Sequence, residues 1–311
     1  MNLRALRRFL AVVELGSINK AAAQLNVSQP SLSKDIQELE THLGGKLFLR
    51  TTRGVSLTDL GQTIFKRAKL VEAELQKLQD EADAMRQVSL GTVSAGVVPG
   101  FMQSQVLPNA TLKLVERASR LTVNYRFGTR KSLLQPLVLG ELDFIIVGMD
   151  DEEEALDKLI AEPLTTDRNA LVVRAGHPIL AQADALHRAL ATYPWLVLSD
   201  CVQLERALRA LVRERGAPFN NSVIRTDSFH FFRSTLTASD CIGLTRYDAA
   251  RPETEAGKVV ELPLKQAKLL GAHRIGIMRR KDTPLTTAAR ALVTEIYRHL
   301  GKKMPPSFAR S

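Results

Sequence analysis

The chain has 311 residues, of which 45% are hydrophobic, and a net charge of +10. That length exceeds what one core usually supports, so two or three domains are expected, and the basic balance points to an anionic partner such as nucleic acid. No run of about 20 apolar residues occurs, and Arg4, Arg7 and Arg8 break any N-terminal signal pattern; with only Cys201 and Cys241 there is no disulfide framework, so a membrane or disulfide-stapled class is excluded and a cytoplasmic protein expected. Residues 1–60 hold eight Lys/Arg against five Asp/Glu, so most of the excess charge lies elsewhere and motifs must carry the functional reading.

Arg4 to Leu15 reads as an amphipathic helix. A second helix follows, capped by Ser17, with Ile18, Ala21, Ala22 and Leu25 on one face. After a break at Asn26-Val27, Ser28 can cap a third helix with Gln29 and Pro30 in its first turn, where proline costs no hydrogen bond. Leu32, Ile36, Leu39 and Leu43 recur at 4-3-4 spacing and form its buried side. Its opposite side shows Gln29, Ser31, Ser33, Lys34 and Gln37, short polar groups and one cation on a rigid rod. Such a surface fits a major groove and bonds to base edges, though a helix pair inside a core fits the pattern as well. Beyond Gly44-Gly45, KLFLRTTRGVSLT reads as two short strands joined at Arg53-Gly54, a wing that places Arg50, Thr52 and Arg53 at phosphate or minor groove.

The block GSINKAAAQLNVSQPSLSKDIQELETHLGGKLFLRTTRGVSLTDLG resembles the winged helix-turn-helix of LysR-type transcriptional regulators. The chain length fits the same family, and the remaining two thirds match in layout rather than in sharp motifs. The resemblance implies a domain at 1–58 that binds double-stranded DNA through Ser28, Gln29, Pro30, Ser31, Ser33, Lys34, Arg50, Thr52 and Arg53.

Thr58 can cap a long helix running to about Gln87, a linker over 59–88. Ile64, Ala68, Val71, Leu75, Leu78, Ala82 and Met85 alternate at 4-3-4-3-4-3 spacing, and the other faces are nearly all polar. That is an a/d seam and predicts a two-chain coiled coil, the alternative being one face packed on its own domain. Paired heads would require a two-fold-related DNA site.

From Gly91 the pattern turns to α/β. Strands are predicted at Val93–Val98, Leu121–Phe127, Leu142–Gly148, Ala170–Arg174, Trp195–Ser199, Ile224–Asp227, Cys241–Thr245, Val259–Leu262 and Arg274–Met278. Helical stretches lie between most of them, which predicts parallel sheet with crossover helices. The family's effector domain, here 89–311, is a pair of α/β lobes similar to type 2 periplasmic binding proteins. By that resemblance lobe I takes about 89–162 and 268–302, and lobe II about 163–267. The chain would cross near Glu162-Pro163, return near Lys265–Leu270, and start its last helix at Thr283-Pro284.

Ligands of open α/β sheets bind beyond the carboxyl ends of strands, often at helix N-termini. The junctions that qualify hold Gly100, Phe101, Met102, Gln103 and Ser104; Thr129 and Arg130; Ser199, Cys201 and Val202; Phe229 and His230; Thr245 and Arg246. The family places its effector in the cleft these line. Gln103, Ser104 and Thr129 offer hydrogen bonds, Phe101 and Phe229 apolar walls, and Arg130, Arg246 or His230 a carboxylate partner, so a small organic acid is expected. Each also has a local role: helix cap, surface cation or core aromatic. Peroxide-sensing members carry a reactive cysteine near the place of Cys201 and a second a few residues on; here Leu204, Leu208 and Leu211 follow instead. A buried or pocket-lining thiol is expected.

GxxxxGK[ST], GxGxxG and GxSxG are all missing, and the six His show no metal-ligand spacing, so no metal or cofactor is expected. Asp150–Glu154 is an acidic run that reads as a solvated loop. Ser199, Asp200 and His230 invite a hydrolase reading, but an enzyme leaves 1–87 unexplained. The expected function is a non-enzymatic, effector-switched DNA-binding regulator, with RNA polymerase as a partner and homodimers assembling into homotetramers. The alternative is a solute-binding or enzymatic α/β domain whose N-terminus only oligomerises.

Overall fold

The computed structural model describes residues 2–51, 54–86, 91–102, 104–118, 120–149, 158–185, 190–214, 221–262 and 271–309. Thr52, Arg53, Gln87, Gln103, Asp150–Glu154 and the return crossing at Lys265–Leu270 lie outside them.

The head is three helices and a two-stranded wing: α1 (Leu3–Leu15), α2 (Ile18–Gln24), α3 (Gln29–Leu43), β1 (Phe48–Thr51) and β2 (Gly54–Leu57). Local chemistry sets the breaks. Asn2, Ser17 and Ser28 cap the three helices through their side chains, and Gly16 and Gly44 end α1 and α3 in the left-handed conformation. The core joins Phe9, Leu10 and Val12 of α1 to Leu32, Ile36 and Leu39 of α3, with Phe48 and Leu57 packed from the wing.

α4 (Asp59–Met85) follows, with the Thr58 hydroxyl accepting from Gly61 N at 2.9 Å. Its seam divides. Ala68 is buried in the head core and Ile64 packs against it, so these two serve their own domain. Val71, Leu78 and Met85 are exposed. Ala68 is a small residue that lets α4 approach α1 closely, and the 4-3 periodicity fits either partner equally well.

The remainder is one continuous mixed sheet in the order β4-β3-β5-β11-β6-β9-β7-β8, with β10 also on β6. The strands are β3 (Gly91–Val97), β4 (Leu121–Phe127), β5 (Phe144–Gly148), β6 (Leu159–Arg174), β7 (Trp195–Leu198), β8 (Val223–Thr226), β9 (Ile242–Arg246), β10 (Val259–Glu261) and β11 (Ala272–Arg280). Helices α5 (Pro99–Met102), α6 (Val106–Arg117), α7 (Arg130–Val138), α8 (Val202–Glu214), α9 (Phe229–Ala238), α10 (Tyr247–Glu255) and α11 (Thr287–His299) intervene.

The expected parallel pairing holds for β3 with β4 and β5, and for β7 with β8 and β9. It fails at the two crossing strands, since β11 runs antiparallel to both β5 and β6, and β6 antiparallel to β9. A strand that passes from one lobe to the other enters the second sheet in reverse sense. β6 is also much longer than the Ala170–Arg174 expected: its first half pairs with β11 through Arg168 and its second half with β9 from Asn169. The change of lobe thus falls at Arg168-Asn169, later than Glu162-Pro163. α11 begins after Thr283-Pro284 as well, because Thr286 supplies the cap, its hydroxyl accepting from Ala289 N at 3.2 Å.

Lobe I packs α6 and α11 on one sheet face, around Val93, Phe144, Ile146, Leu292 and Ile296, and α7 on the other. Lobe II closes around Trp195, Leu208, Phe232 and Ile242. Cys201 and Cys241 are both free and buried in lobe II. Among the described residues, no helix is long and apolar enough to cross a membrane.

Candidate functional site

Two sites follow from this frame, a helix surface on the head and a cleft between the lobes. On α3, Ser28, Gln29, Pro30, Ser31, Lys34 and Gln37 are exposed, Ser33 is half-buried, and the side behind them is the core face of Leu32, Ile36 and Leu39. Ser28 itself caps the helix, accepting from Ser31 N at 3.3 Å. Gln29 Nε2 donates to Ser33 Oγ at 2.9 Å, which ties the two polar groups into one surface one turn apart. Among the described residues Lys34 reaches only Glu38, at 3.9 Å and with both side chains largely solvated, so its charge is available to a partner.

The helix is held to its surroundings by charges that the periodicity does not reveal. Arg8 of α1 pairs with Asp35 of α3. Glu40, 7% exposed, accepts from Leu47 N at 2.9 Å and Phe48 N at 3.4 Å, and its other oxygen from Lys46 Nζ at 2.7 Å. It fixes the wing against α3. In the wing Arg50 pairs with Val55 across the hairpin, and Val55 N donates to Gly16 O at 3.0 Å, tying β2 to the end of α1. Gly54 must be glycine here: its φ is +137, and a Cβ would come within 2.3 Å of Gly16 O.

The cleft holds a cavity of about 560 Å³. Gly100, Phe101, Thr129 and Arg130 border it from lobe I, Ser199 and Arg246 from lobe II. Thr129 also caps α7, accepting from Ser132 N at 3.3 Å, and Arg130 Nη1 donates to Gly148 O at 3.2 Å. Ser104, Cys201, Val202, Phe229, His230 and Thr245 do not border the cavity. Cys201 and Thr245 are turned into the core, Phe229 stacks on Phe232 at 6.2 Å, and His230 is exposed. Ser199 borders the cavity and His230 does not, and among the described residues no group of His, Cys, Asp or Glu could hold a metal ion.

The cavity also takes in Phe127, Asn169, Gln203, Asp227 and His273. Asn169 and His273 sit on the crossing strands, where Asn169 Nδ2 and His273 Nε2 are 2.8 Å apart. One signal for Asn169 existed, a polar residue at the head of the apolar run Ala170–Val173; Phe127, Gln203 and Asp227 lie in or beside the junctions expected after their strands, and His273 joins them only through the crossing. Beside them Asp167 accepts from Arg168 N at 2.7 Å and Asp248 N at 3.3 Å, and burial together with the Asp248 charge pushes its carboxyl above the usual range. Arg168 pairs with Glu261 and lies 4.0 Å over the Tyr247 ring, bracing the crossing from lobe II.

Comparison with known proteins bears on both sites. Residues 3–62 match the bacterial regulatory helix-turn-helix model of the lysR family, and residues 86–301 match the LysR substrate binding domain. A curated relative, the SDS degradation transcriptional activation protein of a Pseudomonas species, is 29% identical over 99% of both chains. Among solved structures, full-length OxyR from Pseudomonas aeruginosa, in a variant form, superposes with TM-score 0.64 at 23% identity, covering 95% of this chain and 94% of its own. CbnR complexed with its target DNA superposes with TM-score 0.63 at 17% identity, covering 96% and 100%.

Proposed function

We propose, from the premise that this chain belongs to the LysR family of bacterial transcriptional regulators, that it reads a specific DNA site with α3 and is switched by a small organic acid held between its lobes. The family is one of DNA-binding regulators with an effector-binding domain, not of enzymes. The observation that carries the finer reading is the division of α3. Gln29, Ser31 and Lys34 stand clear of the fold on its first turns, while Leu32, Ile36 and Leu39 are buried behind them. Gln29 and Ser33 would bond base edges, Lys34 a base edge or phosphate, and Arg50, Thr52 and Arg53 the adjacent backbone or minor groove.

For the cleft, the supporting observation is that Arg130 and Arg246 line one cavity with Thr129, Ser199 and Gln203, and that Phe101 and Phe127 line it as well. A carboxylate bonded to such a cation gains roughly 1.5–3 kcal/mol net. Asp227 borders the same space and disfavours a bare anion. The effector it fits is an acid that also carries a hydroxyl or ammonium donor. The exposed Val71 and Leu78 of the α4 seam, with half-buried Leu75 and Ala82 in line with them, support a homodimer that pairs two heads, and two such dimers a tetramer. RNA polymerase is the expected partner at the promoter, in the cytoplasm.

Titration of the full-length chain with a panel of small hydroxy, amino and simple carboxylic acids tests the cleft, read as a shift in melting temperature. At least one acid should stabilise the parent, and Arg246→Met should need a much higher concentration of it. Equal shifts in both chains, or none with any acid, contradict the organic-acid reading. Leu75→Lys tests the assembly. A charge placed in an apolar seam is costly unless paired, so the variant should lose dimeric mass in sedimentation and DNA affinity together; a dimer with normal affinity means that α4 packs elsewhere.

A further inference from the structure

α4 shows lobe I a face quite unlike its seam. Ala73 lies so close to Gly140 that a Cβ built there would stand 2.8 Å from the Ala73 Cβ, at a φ of +78. At the next residue, Arg280 Nη2 donates to Glu74 Oε1 at 2.9 Å. Lys77 Nζ lies 3.6 Å from the same oxygen and 3.8 Å from Asp143 Oδ1. Further along, Thr92 N donates to Asp80 Oδ2 at 3.3 Å, and Thr287 N and Oγ1 donate to Glu81 at 2.7 and 3.0 Å. Towards the head, Lys69 pairs with Glu14 of α1.

Three of the four charges are mostly buried, the side chains of Lys77, Asp143 and Arg280 being 14, 9 and 10% exposed, while that of Glu74 is 51% exposed. Burial, with Arg280 close by, pulls the Lys77 ammonium down, and burial pushes the Asp143 carboxyl up. Desolvated charges are a costly way to hold a helix, and apolar side chains of the same volume often do it as well. What the charges add is a defined geometry that is lost if one partner moves.

The position of these groups in the sheet gives the cluster its meaning. Asp143 directly precedes β5, and Arg280 ends β11. The two strands are antiparallel partners from Phe144 with Arg279 to Gly148 with Ile275. At that far end Gly148 O accepts from Arg130, and Gly148, Ile275 and His273 border the effector cavity. One end of the strand pair grips α4 and the other lines the cleft, about 17 Å away at ~3.3 Å per residue.

We propose that the β5–β11 pair is the coupling element between the cleft and the helix that carries the reading head, with Lys77, Asp143, Arg280 and Glu74 as its grip. Packed strands transmit displacement rather than absorb it, so a shift at Gly148 and Ile275 reappears at Asp143 and Arg280. The inference goes beyond the assignment of the cleft and rests on it only for what pulls at the far end.

Amide hydrogen exchange on the full-length chain, without any effector, tests it. Lys77→Met and Arg280→Met should each raise exchange several-fold around Ala73–Glu81 and also at the cleft end, at Met149 N, which donates to Arg274 O, and at Ile275–Ile277. Glu74→Gln, at a half-exposed side chain that threatens the fold least, should move both regions in the same direction by less. Glu81→Gln removes the charge from the α4–α11 contact and weakens it but touches neither strand, and should leave the cleft end unchanged. Exchange that rises in α4 alone, a cleft response to Glu81→Gln, or a rise spread equally over lobe II would each overturn the coupling. No acid is added, so the result stands or falls apart from the carboxylate titration.

Discussion

The reading head and the cleft reach chemical function by opposite routes. α3 is one continuous segment whose caps, buried stripe and exposed stripe are all set within it, and its partner groups face solvent independently of lobes I and II. The cleft is the meeting of strand and helix ends far apart in the chain: Thr129 before α7, Asn169 in β6, Ser199 after β7, Arg246 at the end of β9 and His273 in β11. The head is therefore addressable one residue at a time. The cleft is a geometry, and a change on either crossing strand alters the relation of both its walls.

Three variants press on that contrast. The largest effect is expected for Glu40→Ala. The substitution leaves the buried Leu47 N–H without an acceptor and Lys46 without its partner, at a cost of about 3 kcal/mol. Exchange protection should fall through α3 and the wing, and all DNA sequences should be bound more weakly by a similar factor. Gln37→Ala, on the exposed stripe, should stay within about 0.5 kcal/mol of the parent in stability. Equal behaviour of the two variants would mean that the head is not held by this carboxylate.

Thr129 comes next, because it belongs both to the cavity and to the start of α7. Thr129→Val removes the hydroxyl that accepts from Ser132 N and should cost about 0.5–2 kcal/mol as a lost cap, in addition to any effector bond. Thr129→Ser keeps the hydroxyl and should keep both properties. Melting curves with and without a bound acid separate the two roles. If valine weakens the acid but leaves the free chain as stable as before, the cleft is addressable residue by residue after all.

The smallest effect is expected for Asp167→Asn, beside the crossing. Burial and the Asp248 charge raise its carboxyl in the folded chain, so the folded state holds a proton that the unfolded state gives up. Its contribution to stability is present at the acid end and is lost as pH rises from the ordinary carboxylate range, about 4, through the raised folded value. Melting temperatures of parent and variant should converge at the acid end and separate above it, the variant being the more stable. A constant difference across pH would show that the folded chain does not resist ionisation of this group.

The same contrast decides what could be read from the residues alone. α3 was legible because Ser28, Gly44 and the stripe of Leu32, Ile36 and Leu39 act over one or two turns. The Thr58 cap of α4 was legible for the same reason. The partner of Ile64 and Ala68 was not, since a heptad seam and a domain-facing stripe share a period. Nor was the antiparallel sense of β6 and β11, because strand patterns carry no direction and the alternation with helices suggested parallel sheet throughout. Asn169 and His273 join the cavity only once two strands have crossed between lobes, and Glu40 carries no mark that its carboxylate is turned inward.

The central claim is that this chain selects DNA by the exposed turns of α3. A duplex recovered from a random-sequence pool by the parent chain, titrated beside a scrambled duplex over roughly 50–200 mM salt, tests it most directly. Affinity for both should fall with salt. Gln29→Ala and Ser33→Ala should each lose roughly 1–3 kcal/mol on the recovered duplex and little on the scrambled one, with unchanged salt slopes. Equal losses on both duplexes would place these side chains on the backbone, and no preference between the duplexes in the parent would contradict the account.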